Sequence, residues 1–324
     1  MPLKRRKFLT LASLTGLSVG ALHRQTLSQT LSFQDHPDSP TEPTDAKPLL
    51  RWIAVGDVGI GEQSQYKVAQ AMGRYRQTHP FDSVLLVGDN IYAGGEIDKI
   101  KQVFEEPYQD LLRQGVKFYA VLGNHDILSN QGEDQIRYSG FNMQGRYYTF
   151  SQGSVQFFAL DTNSGHHQTE QLAWLEAALA ESQADWKIVL GHHPIYASGL
   201  HSIRKHLLVQ LEPLLGQHQP RTSLTDQLPP LFDKYNVQLY INGHEHHYER
   251  TLPIAGTTYL TCGIGGAQLR PTGKSSWTAF SSSQFGFTVG EVFADQLVIK
   301  GIGVNGQPFD RGVVRRQTAA PVKA

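Results

Sequence analysis

Five short apolar runs in this chain end in glycine followed by a residue able to bind a metal ion. Ile-Ala-Val-Gly leads to Asp57, Leu-Leu-Val-Gly to Asp89, Ala-Val-Leu-Gly to Asn124, Ile-Val-Leu-Gly to His192, and Leu-Tyr-Ile-Asn-Gly to His244. Tyr92 stands three residues after Asp89, and His246 two after His244. The set comprises two carboxylates, an amide, a phenol and three imidazoles, with no thiolate. Donors of this hard-to-borderline kind suit trivalent or divalent iron, zinc or manganese rather than copper(I) or an iron–sulfur cluster. Seven side chains are too many for one metal that keeps an open position. They suit two metals about 3.5–4 Å apart that share a carboxylate, the arrangement used in two-metal hydrolysis.

The elements that must carry these residues follow from the apolar pattern. Runs of this length bounded by glycine read as buried strands, and an α/β sheet builds its sites at the carboxyl ends of its strands. Strand-like Leu50–Val55, Ser83–Val87 and Lys117–Leu122 alternate with helical patterns over Gln63–Arg76 and Ile97–Arg113. Tyr147–Phe150 and Val155–Leu160 predict a hairpin, Thr169–Ala180 a helix, Lys187–Leu190 a strand, Ile203–Leu215 and Leu228–Tyr235 helices, and Gln238–Ile241 a strand. Several β-rich runs fill Thr257–Val304. This alternation predicts an α/β fold of two packed sheets flanked by helices, a four-layer α/β/β/α sandwich. The only cysteine, Cys262, lies in the apolar run Tyr259–Ile264 and reads as an inert core thiol. Gly263-Ile264-Gly265-Gly266 lacks the ending of a phosphate-binding P-loop and reads as a turn near the site.

With 324 residues, 40% apolar and 18% charged, the chain can bury one large core. Its formal net charge of +0 conceals an asymmetry: Lys4, Arg5, Arg6, Lys7 and Arg24 all precede the first acidic residue, Asp35. Lys4-Arg5-Arg6-Lys7-Phe8-Leu9 opens a short, weakly apolar segment and resembles a bacterial twin-arginine export signal; an ordinary Sec signal is the bland alternative. The expected organisation is an export signal over 1–28, a linker over 29–48, a catalytic domain over 49–315 and a flexible tail over 316–324, with a periplasmic or extracellular destination and the twin-arginine machinery as a partner. Without residues 1–28 there remain 24 bases against 29 acids, so nothing resembles a nucleic-acid footprint. No run is long enough for a membrane span, and no stable membrane anchor is expected.

The blocks Gly-Asp-Val-Gly, Gly-Asp-Asn-Ile-Tyr, Gly-Asn-His-Asp, Val-Leu-Gly-His and Gly-His-Glu-His, in this order from Asp57 to His246, resemble the five signature blocks of the purple acid phosphatases within the calcineurin-like metallophosphoesterases. Their early start resembles the short, single-domain form of that family. The resemblance implies that Asp57, Tyr92 and His246 bind Fe(III), that Asp89 bridges, and that Asn124, His192 and His244 complete a divalent ion, Fe, Zn or Mn. It also implies that His125 and His201, the latter nine residues after His192, contact the phosphate or the leaving group. Asp126 is expected to orient His125. His193, His247, Asp161 and Glu245 read as structural or supporting residues. The implied activity is hydrolysis of small-molecule phosphate monoesters at acid pH by a metal-bound hydroxide. Two alternatives stay open on sequence grounds: a phosphodiesterase acting on cyclic nucleotides or phospholipid head groups, and a non-catalytic metal- or phosphate-binding protein.

Overall fold

Strand β1 (Leu50–Val55) shows what the apolar runs are for, since every residue from Trp52 to Val55 is buried. Successive side chains on a strand point to opposite faces, so a strand covered on both faces carries no polar alternate. Trp52 and Ala54 enter the layer between two sheets. Ile53 and Val55 pack on the other face, under Val68, Met72 and Tyr75 of helix Gln63–Thr78. The structure is a computed structural model describing residues 46–163, 168–199 and 224–316.

Among the described residues the first sheet has six strands. Its order is β13 (Pro308–Arg315), β12 (Gln296–Gly303), β11 (Gly286–Val292), β1, β2 (Ser83–Val87) and β3 (Lys117–Val121). The second has seven: β10 (Thr278–Ser282), β8 (Tyr248–Thr251), β9 (Thr258–Cys262), β7 (Leu239–Asn242), β6 (Trp186–Leu190), β5 (Val155–Ala159) and β4 (Tyr148–Gln152). Strands β1, β2 and β3 are parallel, as are β5, β6, β7 and β9, while the flanking pairs are antiparallel, so both sheets are mixed. The inner layer joins Leu85, Val87 and Val121 of one sheet to Phe157, Ile188, Leu190, Leu260 and Cys262 of the other. Outside the second sheet, Leu175 and Leu179 of helix Gln168–Glu181 and Leu228 and Phe232 of helix Leu224–Lys234 cover Phe158, Val189 and Tyr240. The result is the expected sandwich of two mixed sheets with helices on both outer faces.

Two local expectations change. The helical pattern over Ile97–Arg113 is broken into a 3₁₀ turn at Ile97–Lys99, a π turn at Lys101–Glu105 and an α-helix at Gln109–Arg113. Pro107 sits between the last two, where it has no N–H to carry on a helical ladder. Strand β8 was not signalled by its sequence Tyr-Glu-Arg-Thr. Its charge is met from another strand, because Arg250 donates Nε and Nη2 to the two carboxylate oxygens of Asp310 at 2.7 and 2.8 Å. Among the described residues no helix is long and apolar enough to cross a membrane. The proposed signal, nearly all of the linker, His201, the predicted helix over Ile203–Leu215 and the tail beyond residue 316 lie outside the described residues.

Candidate metal centre

The five turns meet along one rim of the sandwich. Asp57 and Asp89 each stand two residues beyond the end of their strands in the first sheet, and Asn124 three beyond β3. His192 and His244 stand two residues beyond β6 and β7 of the second sheet. Bonds cross between the sheets at this rim: His192 donates Nδ1–H to the Val87 carbonyl at 2.9 Å, and His244 N–H donates to Asp57 Oδ2 at 2.9 Å. Asp57, Asp89 and His244 hold left-handed φ of 58°, 53° and 69°. Such backbone is unfavourable for residues with a Cβ, and its concentration here is typical of a functional site. Two glycines are demanded by close approach. A Cβ on Gly88, whose φ is +88°, would fall 2.4 Å from the His192 ring, and one on Gly123 would fall 2.1 Å from Asp89 Oδ1.

The seven predicted donors come together as two groups that share Asp89. In the first, the Tyr92 hydroxyl lies 3.1 Å from Asp57 Oδ1, 2.7 Å from Asp89 Oδ2 and 3.3 Å from His246 Nε2, which is itself 3.2 Å from Asp57 Oδ1. In the second, Asn124 Oδ1 lies 3.0 Å from His192 Nε2 and 2.8 Å from His244 Nδ1. The His192 and His244 nitrogens are 3.3 Å apart, and His192 Nε2 is 3.4 Å from the other Asp89 oxygen, Oδ1. The two oxygens of Asp89 therefore face different groups. One ligand atom each from Asp57, Asp89 and His192 lies within 4.8 Å of the others, and all three side chains are buried.

Proton counting shows what these groups lack. A carbonyl only accepts, so the bond to Val87 places the His192 proton on Nδ1, and the 2.8 Å contact with the Gln268 carbonyl does the same for His246. Each neutral ring then aims an Nε2 lone pair into oxygen acceptors: Asn124 and Asp89 around His192, Asp57 around His246. In the first group a single phenol proton faces two carboxylates. Lone pairs converge in this way around a positive charge, either a ring proton or a metal ion, and backbone carbonyls that fix the far ring nitrogen are the usual support of a metal-binding histidine. The donor set thus fits two cations. Sequence reading missed Gln268 and the Val87 carbonyl, since a main-chain acceptor leaves no side-chain signature.

Charge is concentrated accordingly. Burial acts to raise the Asp57 pKa, but His246, His192 and His244 outweigh it and hold the carboxyl at about 2. Burial opposes protonation of His192 and His246, yet the Asp89 and Asp57 charges raise the first, and the bond and charge of Asp57 raise the second. Burial, followed by the Asp57 and Asp89 charges, pushes the Tyr92 phenol far above its ordinary value. A phenolate in this position needs a cation beside it.

His125 and Asp126 divide differently from expectation. The half-buried His125 ring lies 4.6 Å from the Tyr92 ring between centroids and its Nδ1 is 2.6 Å from the Ala93 carbonyl, while the backbone N–H of His125 donates to Asp89 Oδ1 at 3.0 Å. Asp126 does not bond the His125 ring, which corrects the orienting role read from the sequence. Its buried carboxylate accepts from Gly123 N at 2.7 Å, Asn90 N at 2.9 Å, Ile91 N at 3.0 Å and Gln135 Nε2 at 3.0 Å. Burial first, then the Asp89 charge, raises its pKa to about 6 against these donors. Asp126 is a tie between the turn bearing Asp89 and the turn bearing Asn124. Behind the site, Gly265 N and Ala267 N bond to the Gly56 and Asp57 carbonyls at 3.0 Å, so the glycine-rich segment does shape a turn there.

Comparison with known proteins agrees with this geometry. Residues 50–248 match the family described as calcineurin-like phosphoesterase. The chain is 28% identical to mouse tartrate-resistant acid phosphatase type 5 over 263 residues, covering 69% of this chain and 75% of that protein. It is 28% identical to purple acid phosphatase 7 of Arabidopsis thaliana over 247 residues, covering 67% and 70%. Its fold is similar to that of the purple acid phosphatase PPD1 from yellow lupin, with a TM-score of 0.69 at 22% identity over 84% of this chain and 55% of that one.

Proposed function

This chain belongs to the calcineurin-like phosphoesterase family, and from that membership we propose that it is an exported acid phosphatase that hydrolyses phosphate monoesters at a binuclear Fe(III)–M(II) centre, M being Fe, Zn or Mn. The observation that carries this reading is the division of seven donors into two groups that share the two oxygens of Asp89. Asp57, Tyr92 and His246 would hold the ferric ion, Asn124, His192 and His244 the divalent ion, and Asp89 both. The metals supply the positive charge that binds a phosphate dianion and the acidity that ionises water below neutral pH. The protein's own part is to hold the donors in place, to turn the lone pairs of His192 and His246 inward, and to keep His125 at the edge of the Tyr92 side, where its ring can meet a phosphate oxygen or the leaving group. His201 remains a second candidate for that contact. Acid phosphatases among the relatives support the monoester as substrate, and the twin-arginine-like Arg5-Arg6-Lys7-Phe8 supports export.

The test is turnover of p-nitrophenyl phosphate and of its bis ester from acid to neutral pH by protein of measured metal content. The monoester is expected to be the faster substrate, with two metals per chain. Protein that carries two metals and hydrolyses no aryl phosphate overturns the proposal, and a preference for the bis ester replaces it with the phosphodiesterase reading.

A further inference from the structure

The turn after β5, Asp161-Thr162-Asn163, follows an apolar run as the five ligand turns do, but it has no glycine and supplies no donor to either group. It nevertheless reaches two of them. The buried Thr162 hydroxyl oxygen accepts His192 N–H at 3.1 Å and His193 N–H at 2.9 Å, and lies 2.9 Å from His193 Nδ1. Two N–H donors use both oxygen lone pairs, so the hydroxyl proton goes to His193 Nδ1 and the neutral His193 ring carries its proton on Nε2. The adjoining Asn163 donates Nδ2–H to the Leu122 and Gly123 carbonyls at 3.2 and 3.4 Å, immediately before Asn124. Asp161 is fixed in turn by Arg146, whose Nη1 donates to Oδ2 at 3.0 Å. Neither Thr162 nor Asn163 bonds Asp57, Tyr92 or His246.

We infer that Thr162 is a positioning residue for the divalent-metal half of the site alone: one hydroxyl fixes the turn that aims His192. The inference rests on the binuclear reading above. A buried N–H without its acceptor is costly, so removal of the hydroxyl frees two donors at the base of His192 and lets the turn relax. Loss of a group that orients a metal ligand typically weakens metal binding about 10–100-fold.

The experiment removes the divalent ion from the holoprotein by mild chelation and titrates Zn²⁺ back, with iron content and the visible spectrum followed in parallel. Thr162→Val is expected to bind Zn²⁺ about 10–100-fold more weakly than wild type while iron content stays unchanged, and Thr162→Ser, which keeps the hydroxyl, is expected to return to within about 3-fold. Thr162→Ala serves if the valine variant does not fold. Wild-type Zn²⁺ affinity in the valine or alanine variant overturns the inference. So does failure of the serine variant to recover, or equal loss of iron and zinc. Wild-type protein that holds only one metal instead sinks the binuclear reading itself, an outcome visible before any variant is made.

Discussion

The two halves of the site are built from equal numbers of side chains but unequal charge. The half formed by Asp57, Tyr92 and His246 can present two anions of its own, while the half formed by Asn124, His192 and His244 presents none, and Asp89 is common to both. On the proposed reading the half with more negative charge would take the trivalent ion and the neutral half the divalent one. Support differs as well. His246 rests on the Gln268 carbonyl, within the segment after β9, whereas His192 rests on the Val87 carbonyl of the opposite sheet and on Thr162.

The largest effect is expected where the halves meet. Asp89→Ala should release both metals and lower kcat/KM by on the order of 10³-fold or more, since it removes the only carboxylate shared by both groups; retention of one metal at wild-type affinity would show that the halves do not depend on it. Next come variants confined to one side. On the proposed reading a phenolate bound to ferric iron would give a visible charge-transfer band; Tyr92→Phe should abolish it while zinc binding persists, and His192→Ala should weaken zinc by about 10²-fold while the band persists. Simultaneous loss of both metals in either variant breaks the comparison. Gly123→Ala tests the shared wall, since its Cβ would fall on Asp89 Oδ1 at 2.1 Å; it should cost about 1–3 kcal/mol in unfolding experiments and weaken both metals together.

The smallest effect on the site is expected from Glu291, on β11, which pairs with Arg51 at the far end of β1 from Asp57. Burial acts to raise its pKa, but bonds from Lys300 and Arg51 outweigh burial and hold it below the ordinary value. A depressed glutamate contributes stability that is complete above its unfolded pKa of about 4.3 and is lost as pH falls through the folded value. Glu291→Gln should therefore lower thermal stability at pH 7 by about 1 kcal/mol and flatten the acid limb of Tm against pH, with metal binding unchanged. Altered zinc or iron affinity in that variant would mean that acid unfolding and metal release are one event.

Much of the fold was legible because it rests on local rules. The apolar runs ending at Val55, Val87 and Leu190 are largely buried strands, and the glycine directly after each is the punctuation of a sharp turn. Strand β8 was not legible, because Glu249 and Arg250 look like surface residues until Ser198 and Asp310 are placed against them. The helix expected over Ile97–Arg113 failed because apolar spacing says nothing about the break that Pro107 imposes.

By itself, the sequence determined which donor types lie at strand ends and in what order, since residue identity and hydrophobic period are properties of the chain. Tertiary structure alone decided how those donors divide. Distances such as 3.3 Å from Tyr92 to His246 and 3.0 Å from Asn124 to His192 join residues of different turns, and they depend on the packing of one sheet against the other. It also decided that Asp126 ties two turns together instead of serving His125, and that Thr162, without a metal-binding atom in use, aims one that has. A hydrogen bond is fixed by where both partners stand, and for these pairs only the folded chain brings the partners within reach.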